Sequence, residues 1–151
     1  MRSLRCFLFA ACALLAGCAT PITLSKEFVT LAGHDTAADF RAVTGDDARV
    51  WLRRFEDPNA ADLAFWAKSI EYDFVQQRGY DLVAQGDATD ADGNKGRWFQ
   101  CTANVSGDRI GYLIAVWAAG RDVTVVEFAA RAEAFEARVE QVKRALHTVD
   151  V

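Results

Sequence analysis

RWFQCTANVSGDRIGYLIAVW, residues 97 to 117, is the stretch that decides the fold. Two runs with a period of two, 97–105 and 109–117, meet at Ser106-Gly107-Asp108, a turn of the kind that joins antiparallel strands. In the first run Phe99, Cys101, Ala103 and Val105 fall on one side, and Trp98, Gln100, Thr102 and Asn104 on the other. One dry and one wet face are expected, with Trp98 as the exception. Working outward, YDLVAQG (80–86) precedes this pair across the turn ADGNKG, and DVTVVEFAA (122–130) follows it across AAGR. The four runs form an antiparallel meander.

Upstream, EFVTL (27–31) comes first, and DFRAVT (39–44) and ARVWLRRFE (48–56) then flank the turn GDD, so an N-terminal hairpin is expected. Val50, Leu52 and Arg54 share one side of its second strand, and Trp51, Arg53 and Phe55 the other. Between hairpin and meander the period changes. In DPNAADLAFWAKSIEYDFVQQRG (57–79), Leu63, Trp66, Ile70 and Phe74 recur at helical spacing, with Asp57 or Asn59 as cap, Pro58 in the first turn and Gly79 as terminator. Phe65 and Tyr72 lie seven residues apart on the opposite side of that helix. A second helix runs through RAEAFEARVEQVKRALHTV (131–149), its stripe Phe135, Val139, Val142 and Leu146. The class is therefore α+β, an antiparallel sheet with two amphipathic helices packed on it, as one domain over residues 27–151 around one core.

The start of the chain is of another kind. Arg2 and Arg5 form a basic beginning, CFLFAACALLA is an apolar run too short to cross a bilayer, and small residues close it, the layout of a secretory signal over residues 1–17. Leu15-Ala16-Gly17-Cys18 resembles the lipobox of bacterial lipoproteins, which implies lipidation of the Cys18 thiol and cleavage before it. Residues 18–26 then read as a lipidated tether, Pro21 discouraging helix, and the partner implied at this end is a membrane. Ala19 stands where an aspartate would resemble an inner-membrane retention signal, so the expected location is the outer membrane, facing the periplasm. Residues 1–17 carry no acidic residue, so their loss reduces 17 basic groups to 15 against 21 acidic ones and takes the net charge from −4 to −6. That charge disfavours nucleic acid and anionic surfaces. Cys6 and Cys12 go with the leader and Cys18 is alkylated, which leaves Cys101 without an intramolecular disulfide partner.

From Gly79 onward the pattern resembles the PsbP and DcrB-like group of α+β proteins. The likeness is carried by Gly79-Tyr80 opening a strand, the Gly93–Gly96 turn, Tyr112, Val123-x-Val125-x-x-Phe128, and Phe135 with the terminal helix. It spans residues 27–147 by order of elements, and it implies a sheet-and-helix fold with a binding or accessory role rather than catalysis.

The residues themselves point to no catalytic set, metal or cofactor. His34 and His147 have no partner histidine at ligand spacing. Asp87, Asp90 and Asp92 precede Gly93, but aligning that glycine with a calcium loop puts Ala88 and Phe99 at ligand positions, so a hairpin tip is favoured. No serine sits in GxSxG and no glycine pattern matches a phosphate loop. Cys101 lies on an apolar strand face and reads as a core thiol. Glu127, if it points inward, needs a cation, with Arg97 or Arg109 as candidates, and Glu127, Arg97 and His34 in one cleft would point to an enzyme. Two functions remain: a non-catalytic accessory or assembly protein of the envelope that meets a protein partner through Phe65 and Tyr72, or a small-molecule carrier whose pocket between sheet and helix is walled by Trp51, Trp98 and Tyr112.

Overall fold

A computed structural model describes residues 20–32 and 39–151. Seven strands, β1 (Val29–Thr30), β2 (Phe40–Val43), β3 (Arg49–Glu56), β4 (Asp81–Thr89), β5 (Lys95–Val105), β6 (Asp108–Ala119) and β7 (Asp122–Arg131), form one open antiparallel sheet in the order β1-β2-β3-β7-β6-β5-β4. Helix α1 (Leu63–Tyr72) crosses from β3 to β4, and α2 (Ala132–Ala145) follows β7. The hairpin and the meander are joined by β3 pairing with β7, Trp51 opposite Glu127.

The meander's register is pinned by its turns. Ser106 and Gly107 have φ of 53° and 91°, the two positive values a two-residue hairpin turn of the I′ type needs, so Val105 faces Asp108 and Cys101 faces Tyr112. The wet face is corrected by the structure: each helix covers one side of the sheet, and there are two cores rather than one. Beneath α2 lie Val50, Leu52, Leu113, Ala115, Trp117, Val126 and Phe128, closed by Phe135, Val139 and Val142. Beneath α1 lie Phe99, Cys101, Ile114, Val116, Val123 and Val125, closed by Phe74 with Trp66 and Ile70. Burial on both faces is why β6 and β7 read as nearly continuous apolar runs. Trp98 is no exception, because it turns toward α2, where the Lys143 ammonium sits 4.2 Å above its ring. The α2 layer packs close to backbone: a Cβ on Gly111 would lie 2.1 Å from Cγ of Phe135.

Helix α1 starts later than Asp57. Asp62 is its N-cap, accepting from Phe65 N at 2.8 Å. The Asp57 carboxylate instead accepts from Ala61 N and Asn59 N, both at 2.9 Å, and those backbone donors hold its pKa below the ordinary value. At the other end the helix widens into a π-helical turn, Asp73–Gln77, before Gly79 at φ 67°.

Residues expected in a free tether belong to the domain. Ile22 is 1% exposed in the α2-side core. The Pro21 carbonyl accepts from Asp150 N at 3.0 Å, and Thr23 N donates to Thr148 Oγ1 at 2.8 Å. Ala91 N donates to the Val149 carbonyl, so residues 21–23, the chain terminus, the β4–β5 turn, the β6–β7 turn and the end of β3 gather at one end of the sheet, the upper end below.

Candidate functional site

Helix α1 packs on β5 and β6, and a cavity of about 560 Å³ lies between it and β3 and β7. Phe55, Trp66, Ile70, Phe74, Ile114 and Val125 supply its apolar walls, and Arg53, Glu127, Asp73, Arg78 and Ser69 its polar ones. Strand alternation delivers the floor. Glu127 faces Trp51 on β3 and Ile114 on β6, so Arg53 and Tyr112 are its diagonal neighbours, two residues along on either side. Arg53 Nη2 donates to Glu127 Oε1, and Tyr112 OH donates to Oε2 at 2.5 Å. The Glu127 side chain is 13% exposed and Arg53 47%, so the pair is buried at the carboxylate and wet at the guanidinium. Burial pushes the Tyr112 phenol above its ordinary pKa, which keeps its proton available for donation to Glu127.

A second pair stands on the helix side, where Arg78 Nε donates to Asp73 Oδ2 at 2.8 Å and its guanidinium lies 4.7 Å from the Phe74 ring centre. The two cations and two anions are thus matched within the cavity. At its upper mouth the lining rings Phe55 and Trp66 meet edge-on at 5.4 Å, and Trp66 in turn meets Phe65, outside the cavity, at 5.9 Å. Such a site has polar anchors, apolar walls and an aromatic lip, the composition of a binding cleft.

The residues singled out in the sequence fall as follows. Phe65 and Tyr72 are exposed, at 56% and 57%, on the outer side of α1. Trp51, Trp98 and Tyr112 do not share a pocket: Trp98 is on the α2 side, Trp51 lines a hollow with Leu31, Arg41, Val43 and Arg49, and Tyr112 packs on Phe74 and Tyr80. A pocket between sheet and helix exists, with other walls. The cation for Glu127 is Arg53 rather than Arg97, which pairs with Asp87, or Arg109. Counting outward from the Ser106-Gly107 turn gives Trp98 and Tyr112 opposite parity, a signal present in the sequence; the β3–β7 pairing that supplies Arg53 has no local signal.

Asp90 is 4% exposed and its carboxylate accepts from Asp92 N, Asn94 N and Asn94 Nδ2, shaping the β4–β5 tip. Among the described residues no group of three or more His, Cys, Asp or Glu is placed to hold a metal ion. His147 Nδ1 lies 2.6 Å from Thr89 Oγ1; Cys18 and His34 fall outside the described residues. No helix among the described residues is long and apolar enough to cross a membrane.

Comparison with known proteins gives the class of fold. The chain has a PsbP-like fold: it superposes on cyanobacterial PsbP (CyanoP) of Synechocystis sp. PCC 6803 with a TM-score of 0.55 at 8% identity, covering 83% of each chain. It is more similar still to LpqN of Mycobacterium tuberculosis, a protein involved in cell envelope biogenesis, with a TM-score of 0.67 at 11% identity over 86% of this chain and 82% of that one. A Pseudomonas aeruginosa protein of unknown function, PA94, matches with a TM-score of 0.59 at 15% identity over 83% and 97%. At these identities the likeness is one of fold. No protein-family model and no curated protein sequence matches the chain.

Proposed function

We propose that this protein is an envelope lipoprotein, anchored by lipid on Cys18, whose domain is a non-catalytic accessory module that binds another envelope component at the α1 face. The observation that carries this reading is the aromatic chain Phe55–Trp66–Phe65, which runs from the wall of a charged-floor cavity out to the exposed side of α1, with Phe55 41% and Phe65 56% exposed. Aromatic side chains left in water beside a pocket are typical of interfaces. The envelope setting is supported by the basic-then-apolar leader ending in Leu15-Ala16-Gly17-Cys18, and by the shared fold with a protein involved in cell envelope biogenesis. Ala19 favours the outer membrane.

The non-catalytic reading is supported by how the reactive groups are held. Burial pushes the Cys101 thiol up to about 11, so little thiolate forms near neutrality. Glu127 is committed to Arg53 and Tyr112. The test is crosslinking and mass spectrometry on the anchored protein in its native envelope, repeated with Phe65→Ser and Tyr72→Ser together. Loss of the crosslinked partner with folding preserved is expected, and undiminished recovery refutes the surface. Replacing Cys18 with Ala is expected to release the protein into the soluble fraction.

The cavity volume favours a second reading, a carrier of a small molecule with apolar and polar parts. Native mass spectrometry of protein taken from its own envelope would then show a bound mass that Ile114→Trp removes.

A further inference from the structure

The way residues 21–23 are held says which part of the domain meets the bilayer. Ile22 is 1% exposed, with the Pro21 carbonyl fixed to Asp150 N and Thr23 N fixed to Thr148 Oγ1, so the chain is fastened to the domain at Pro21. From Cys18 to Pro21 is three peptide steps, a reach of at most about 11 Å whatever their conformation. Strand β6 alone has twelve residues, whose eleven steps of roughly 3.3 Å span about 36 Å. The leash is therefore a third of the length of the sheet and is fastened at its upper end.

We infer that the upper end of the sheet is a membrane-facing surface, held against lipid headgroups with the β4–β5 tip and the β6–β7 turn beside the bilayer and the Ser106-Gly107 turn directed away from it. The inference rests on the proposed lipidation of Cys18. A domain fastened at Pro21, within about 11 Å of an acylated cysteine, cannot invert its long axis, because inversion would carry Pro21 the length of the sheet away from the headgroups. The charges at this end are mixed rather than of one sign, Glu56, Asp92, Asp122 and Asp150 standing with Arg54, Lys95 and Arg121, and Arg121 pairs with Glu56 and Arg54 with Asp150. A purely covalent leash predicts an orientation independent of anionic lipid and of salt.

The test uses the full-length lipidated protein in phosphatidylcholine vesicles, with a fluorophore on Asp92→Cys or on Ser106→Cys and a nitroxide on the lipid headgroup. The single native thiol of the mature domain, Cys101, is buried and stays unlabelled. Quenching is expected to be several-fold stronger from position 92 than from 106, unchanged in roughly 1 M salt. Inserting about twelve Gly/Ser residues between Thr20 and Pro21 is expected to bring the two positions to similar quenching. Equal quenching at native length, or a difference that salt abolishes, overturns the inference while leaving the anchor in place. An N-terminal peptide without acyl groups, with the protein in the soluble fraction, overturns the anchor and the inference with it.

Discussion

Ile22→Ala is the substitution that tests how firmly the start of the domain is fastened. Ile22 is 1% exposed and packs in the α2-side core, so truncation removes three buried carbons. At about 0.8 kcal/mol each, with a contribution from the space left behind, the loss is about 3 kcal/mol. An unfolding entropy near 2.1 cal/mol/K per residue over a domain of about 130 residues converts this to a fall in Tm of roughly 10 °C. The loss has a ceiling, because residues 21–25 can leave the surface while the sheet stays folded; the stability lost cannot then exceed their docking free energy, and the fall in Tm is that energy divided by the unfolding entropy. Differential scanning calorimetry of residues 20–151, with exposed Lys26→Ala as control, measures it. A shift below about 3 °C means Ile22 contributes no more than a surface residue and refutes the docking on which the short leash depends.

Gly111→Ala is expected to destabilise by about 1–3 kcal/mol, since its Cβ would meet the Phe135 ring 2.1 Å away; Gly111→Ala with Phe135→Leu should recover part of that in a urea titration. Glu127→Gln should cost about 1–2 kcal/mol, with Arg53, half in water, rehydrating rather than being stranded. Cys101 is expected to resist iodoacetamide at pH 8 in the folded protein and to react in denaturant. Its raised folded pKa stabilises the fold fully below about pH 9 and that contribution is lost as pH rises through about 11, so Cys101→Ala should flatten the alkaline limb of a stability–pH curve.

What the sequence makes legible follows from how local each signal is. The meander can be read because two of its turns, Ser106-Gly107 and Gly120-Arg121, count the register from a fixed origin, and the helical stripes can be read because both helices bury them. Two cores are written in YLIAVW (112–117), apolar at every position, but the alternation in β5 suggests one wet face, since Gln100 and Thr102 are polar and only partly buried. The start of α1 is displaced from Asp57 to Asp62 because the two backbone donors at Asn59 and Ala61 claim the Asp57 carboxylate for a turn. Arg53 meets Glu127 across a pairing of residues 74 apart in sequence, and Ile22 enters the core with only Leu24 two positions on to repeat it, too short a run to establish a period. Neither has a period that announces it.

The margins of the sheet limit how this protein can assemble. One margin is β1, two residues long, and the other is β4, whose register slips between Leu82 and Ala84 and which carries Asp87 tied to Arg97. A two-residue strand offers too few free amides to template another chain, and a bulge flanked by charge breaks the straight ladder that edge-to-edge growth requires. Strand exchange and fibre-like stacking through the sheet margins are thereby discouraged. Contacts between this protein and its neighbours are left to its helices and turns.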